Sequence, residues 1–129
     1  MIKNPAEPAA EPVKRPMSEK DVKNAAATAS LFGGTVKSRI YIYLLRFPGS
    51  TVDEIAAGTG IYPSTVREEI YEMYEKDHQV DRVKMDRDGL GKKPYLYTAI
   101  KPSVVLKPIK EKIVSALNLL MDYEEGAKK

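Results

Sequence analysis

Two short stretches of the 129-residue chain carry side chains suited to binding rather than to bond-making. The first is Tyr62-Pro63-Ser64-Thr65-Val66-Arg67-Glu68, with Tyr71 one helical turn further on. Arginine presents a planar fork of donors that matches guanine O6 and N7, and hydroxyls beside it can reach base edges or phosphates. Glu68 could accept from the amino group of cytosine. The second stretch is Arg87-Asp88-Gly89-Leu90-Gly91-Lys92-Lys93-Pro94. Glycine lets a backbone approach a ligand closely, and lysine and arginine neutralise phosphates. The plainer alternatives are a solvated helix start at Ser64, Thr65 and Arg67, and a solubilising loop tip at Lys92-Lys93.

The same inventory argues against catalysis, and no enzymatic role is expected. There is no cysteine, which excludes disulfides, thiol chemistry and thiolate metal sites. His78 is the single histidine, too little for a catalytic triad or a metal cluster, and it reads as a turn or surface residue. Glu68 and Glu69 are adjacent, so a helix points them in different directions. Gly89-Leu90-Gly91-Lys92-Lys93 lacks the spacing and the Ser/Thr of a nucleotide-binding loop. No cofactor and no metal are expected.

The length fits one domain with one core plus a tail. With 43% apolar and 30% charged residues, most of the chain should fold. The formal net charge of +3 is compatible with a nucleic-acid partner without requiring one. No apolar run is long enough for a membrane span and no apolar signal core opens the chain, so the default expectation is a cytoplasmic protein.

The elements that must position these residues follow from periodicity. Residues 1–17 contain Pro5, Pro8, Pro12 and Pro16 and read as a disordered tail, with an arm contacting partners through Lys14 and Arg15 as the alternative. Ser18 to Asp21 has the form of a helix start, and that helix is expected to run to about Leu31, before Gly33-Gly34. A second helix opens near Thr35. Its stripe of Val36, Ile40, Tyr43, Leu44 and Phe47, widened by Ile42 and Leu45, suggests cover on more than one side. Thr51-Val52-Asp53-Glu54 is a capping box, and Gly58-Thr59-Gly60 is expected to end the short helix that follows. Pro63 suits the first position of the next helix, whose apolar face is Val66, Ile70, Met73 and Tyr74. From Val80 the period becomes two, with Val83 and Met85 alternating against Arg82, Lys84 and Asp86, and Tyr95 to Ile100 alternates as well. The two glycines and the proline of the stretch from Arg87 to Pro94 indicate a hairpin loop between the two strands.

The final segment is expected to be helical from about Val104 to Tyr123, with Pro108 near its start. Leu106, Ile109, Ile113, Ala116, Leu120 and Tyr123 recur at steps of three and four, a heptad seam that Val114, Leu117 and Met121 widen. A small domain has little core left to cover such a helix, so the seam reads as a homodimer interface.

Leu31-Phe32-Gly33, Arg39-Ile40, Tyr43-Leu44-Leu45, Thr51-Val52-Asp53-Glu54-Ile55-Ala56, Thr59-Gly60-Ile61-Tyr62-Pro63-Ser64-Thr65-Val66 and Gly89-Leu90-Gly91-Lys92-Lys93-Pro94-Tyr95-Leu96-Tyr97 occur in an order that resembles ArsR-type winged-helix regulators. The TrmB-type regulators of archaea share that plan. The resemblance covers residues 31–100, and the last helix by position only. It implies a mainly α fold with a small β-hairpin wing: a winged helix-turn-helix domain over 18–101 and a C-terminal dimerisation helix with a frayed end over 102–129. It further implies a symmetric dimer on double-stranded DNA that controls transcription. Tyr62, Pro63, Ser64, Thr65, Arg67, Glu68 and Tyr71 would then face the major groove, and Arg87, Gly91, Lys92 and Lys93 the phosphates. Leu106, Ile109, Ile113, Ala116, Leu117, Leu120 and Tyr123 would pair the subunits.

Three departures from that pattern stand out. Tyr62 replaces a capping serine, and the metal-sensing members' cysteine and histidine ligands are missing. The third helix is acidic: residues 63–77 hold Arg67 and Lys76 against Glu68, Glu69, Glu72, Glu75 and Asp77, a net charge of −3. Six cations against three anions between Asp81 and Lys101 make the hairpin the better electrostatic anchor. If Ser64, Arg67 and Tyr71 form the outer face, Glu69 and Glu72 turn aside. Two other readings stay open beside sequence-specific regulation: a non-specific architectural DNA binder, and a winged helix used for protein–protein assembly in a transcription complex, which the acidic helix favours.

Overall fold

The computed structural model describes residues 16–85 and 94–127. In chain order the elements are α1 (Glu19–Ala27), α2 (Ala29–Phe32), α3 (Thr35–Arg46), α4 (Val52–Thr59), α5 (Pro63–Glu75), β1 (Val80–Lys84), β2 (Tyr95–Ala99) and α6 (Pro102–Ala127). The fold is mainly helical with one two-stranded antiparallel sheet. It divides into two compact units, one ending at Ala99 and the other beginning at Ile100. The expected loop residues Arg87, Gly91, Lys92 and Lys93, and the tail up to Arg15, lie outside the described residues.

The first helix starts where its sequence says it should. The Ser18 hydroxyl accepts from the Asp21 amide at 3.1 Å, satisfying one of the donors that a helix start leaves open. It does not run on to Leu31. Thr28 breaks it, donating its hydroxyl to the Asn24 carbonyl at 2.8 Å and sharing a 2.7 Å hydrogen bond with the buried Ser38 hydroxyl. A threonine that bonds the carbonyl four residues back competes with the helix ladder. The single turn α2 then ends on Gly33 at φ 86° and sets Phe32 against Tyr41, with ring centroids 4.7 Å apart. Met17, read from sequence as part of the tail, donates its amide to the Gly58 carbonyl at 2.9 Å.

α3 is the hub of the first unit. It packs against α1, α2, α4, α5 and β2, which accounts for the breadth of its apolar surface. Ile40, Tyr43 and Leu44 are at most 1% exposed, and Ser38 and Tyr41 are buried beside them. Leu45, expected to widen the stripe, is exposed instead. Asp21 is buried and receives Arg46 Nε and Nη2 at 3.2 and 3.0 Å, which clamps α1 to the end of α3.

α4 carries the expected capping box, with Thr51 Oγ1 accepting from the Glu54 amide at 3.1 Å and Glu54 Oε1 from the Thr51 amide at 2.9 Å. Gly58 does not end this helix but lies inside it. A β-carbon there would overlap the Tyr43 ring, so glycine is what lets α4 close onto α3. The stop falls at Gly60, in the left-handed region at φ 75°. Tyr62 and Pro63 then open α5, which buries Val66, Ile70 and Met73.

β1 and β2 pair in register from Val80 with Ala99 to Lys84 with Tyr95. Ser50, between α3 and α4, adds a further rung: its amide donates to the Tyr97 carbonyl at 3.1 Å, and the Tyr97 amide donates to the Ser50 carbonyl at 2.8 Å. This bridge ties the hairpin to the α3–α4 turn. The inner face of β1 is the opposite of the one expected. Val80 is buried, so Arg82 shares its face. The Arg82 guanidinium sits 4.2 Å from the Tyr74 ring centroid and 4.0 Å from that of Tyr95, while Val83 is 63% exposed.

α6 is one helix of 26 residues, longer at both ends than its sequence pattern suggested, with Pro108 inside it. No helix among the described residues is long and apolar enough to cross a membrane.

Candidate nucleic-acid interface

The start of α5 combines three local properties. Tyr62 caps the helix by position, but its side chain makes no capping hydrogen bond. Pro63, at the first helical position, has no amide to satisfy. The first turn carries no acidic residue, so the amides of Ser64 and Thr65 and the positive end of the helix dipole are not screened by a carboxylate of that turn. An anion placed there meets a set of donors ready to receive it.

From that start the outer face of α5 runs through exposed Ser64, Arg67, Glu68 and Tyr71. With Glu72 and Lys76 these residues line an open surface depression of about 710 Å³. Tyr62 is 78% exposed and Tyr71 55%, large aromatic surfaces that the fold leaves in water. Thr65 is half-buried and stands apart from this outward set. The inner residues Val66, Ile70 and Met73 are fully buried, so the register of the outer face is held by the core.

The acidity of α5 is partly answered from α3. Lys37 Nζ donates to Glu72 Oε1 at 2.6 Å and to Asp77 Oδ2 at 3.3 Å. Burial works against the charged form of Lys37, yet its two carboxylate partners outweigh that and raise its pKa above the ordinary lysine value. The hydrogen bond and charge of Lys37 hold Glu72 below the usual carboxylate range. Glu69 does not line the depression, whereas Glu72 does so with its charge compensated. Glu68 stays exposed in the depression beside Arg67. Lys37 was not among the residues singled out from sequence. Its partners lie 35 and 40 positions away, and no local pattern announces such a pair.

One cation counted towards the hairpin's positive charge is engaged within the fold. Arg82 is held between Tyr74 and Tyr95 and braces the hairpin against the end of α5. Lys84 is exposed at the end of β1. The other expected hairpin contacts, Arg87, Gly91, Lys92 and Lys93, fall outside the described residues.

In the second unit, Leu106, Ile113, Leu117, Leu120 and Tyr123 are all exposed, between 38% and 74%. Ala116 is exposed, Ile109 is half-buried and Val105 is buried.

Among the described residues there is no group of three or more histidine, aspartate or glutamate side chains placed to hold a metal ion. No protein-family model and no curated protein sequence matches the chain.

Proposed function

We propose that this protein is a winged helix-turn-helix DNA-binding transcriptional regulator that acts as a cytoplasmic homodimer. In this reading α4 and α5, joined through Gly60, form the helix-turn-helix, and β1 and β2 form the base of the wing. α5 enters the major groove with Ser64 and Arg67 towards base edges, and Tyr62 and Tyr71 flank them. Phosphates are held by the uncapped start of α5 and by the basic hairpin loop.

The observation that carries the proposal is the outer face of α5. A helix held by a buried inner face presents an arginine, two exposed tyrosines and uncapped amides together, while Lys37 of α3 pairs with Glu72 of that helix and with Asp77 just beyond its end. The second reading, a protein-assembly module, is favoured by Glu68, Glu69 and Glu75, which form no ion pair among the described residues. Mobility shift with random and genomic duplexes at two salt concentrations separates the readings. Binding at low salt that weakens steeply with added salt is expected. Absence of binding at low salt would leave protein assembly as the better account.

A further inference from the structure

The charges along α6 are sorted by sign. Its first half holds Lys107, Lys110 and Lys112 with Glu111, a net +2. Its second half holds Asp122, Glu124 and Glu125, a net −3. This order opposes the helix's own dipole, which favours anions at the N-terminal end and cations at the C-terminal end. The helix is therefore frustrated twice over, by the order of its charges and by an apolar seam that stands in water.

One occupant relieves both. A parallel second copy would set cations beside cations and anions beside anions. An antiparallel copy brings the basic half of each helix to the acidic half of the other and opposes the two dipoles. We propose that α6 docks on α6 of a second copy in antiparallel order. The inference rests on the homodimer reading above and adds its orientation. Superimposed head to tail about the middle of α6, the seam residues fall level in complementary pairs: Leu106 with Tyr123, Ile109 with Leu120, and Ile113 with Ala116. The same overlay sets Lys107 level with Asp122. The contact is isologous, so it closes at two copies and does not propagate.

The chain has no cysteine, so introduced thiols report without background. Tagged full-length Leu106→Cys is mixed with untagged Tyr123→Cys, exchanged and oxidised. The mixed 106–123 disulfide is expected as the main product, with little crosslinking of either variant alone. Ile109→Cys with Leu120→Cys repeats the test at a second level, in case one substitution loosens assembly. Strong 106–106 and 123–123 products, or a dimer that forms neither mixed disulfide, would overturn the antiparallel order while leaving the homodimer standing. A monomer in sedimentation of the unmodified chain would overturn both.

Discussion

α3 and α6 use the same apolar residue types and reach opposite ends. In α3 Ile40, Tyr43 and Leu44 vanish into a core supplied by five other elements, and even Ser38 is buried. In α6 Leu117, Leu119, Leu120 and Met121 keep more than half of their surface. An amphipathic pattern therefore states that a face must be covered, but not by what. α3 is covered by its own unit, whereas α6 leaves the same kinds of side chain exposed.

The sharpest test of that contrast is a matched pair of truncations. Leu44→Ala is expected to destabilise the fold by about 2–5 kcal/mol, the usual range for a buried leucine. Its effect in chemical unfolding should not depend on protein concentration. Leu120→Ala should change unfolding of the first unit by less than about 0.5 kcal/mol, as exposed substitutions do, and weaken self-association instead. If both variants lowered the stability of the first unit equally, the distinction would collapse.

Next in size is Gly58→Ala. The added methyl must displace the Tyr43 ring or part α4 from α3, at an expected cost of about 1–3 kcal/mol read from the urea midpoint. A neutral outcome would mean that the α3–α4 contact yields readily.

The buried tyrosines of α3 supply a pH signature of that helix's burial. Burial pushes Tyr41 up to about 12, and burial together with the charge of Glu54 does the same to Tyr43. The unfolded chain ionises these groups near the ordinary value of 10.0. A raised folded pKa contributes stability that is intact below the unfolded value and is lost as pH rises through the folded one. Stability should therefore hold up to about pH 10 and decline towards about 12. Ultraviolet difference titration should show two tyrosines ionising together with unfolding. Ionisation of all eight before any unfolding would contradict this burial.

The smallest effect concerns the outer face of α5. Lys37→Gln leaves Glu72 and Asp77 unpaired next to the proposed DNA surface, so duplex affinity should fall severalfold with little change in melting temperature. The pair has its own acid limit. Glu72 is held below its ordinary 4.5, so its contribution is complete above that pH and is lost as pH falls through the depressed folded value. A Lys37→Gln variant that binds DNA as tightly as the parent would remove Lys37 from the account.

Local chemistry was legible in the sequence wherever the cause was local. The Thr51–Glu54 capping box, the left-handed turn at Gly60, Pro63 at the opening of α5 and the inward Val66-Ile70-Met73 face all follow from residues a few positions apart. What escaped depends on partners far along the chain. Thr28 breaks its helix with Ser38 in hand, and Gly58 is required by a ring from α3. Ser50 forms its rung with Tyr97, an interaction that a single residue between helices cannot advertise. The phase of β1 misled because alternation shows that two faces differ without showing which is inner. Val80 and the Tyr74–Tyr95 slot decide that, and they select Arg82 over Val83. In the candidate site the exposed set of Ser64, Arg67, Glu68 and Tyr71 could be read from helical spacing, whereas its compensation by Lys37 could not.

The central claim, that the outer face of α5 reads DNA, is tested most directly by selecting bound sequences from a randomised duplex pool with the full-length protein and with Arg67→Ala. The account predicts a defined preference for guanine at one position in each half-site, weakened by about 1–3 kcal/mol in the variant while overall salt dependence changes little. Identical enrichment by both proteins, or no enrichment by either, would contradict it.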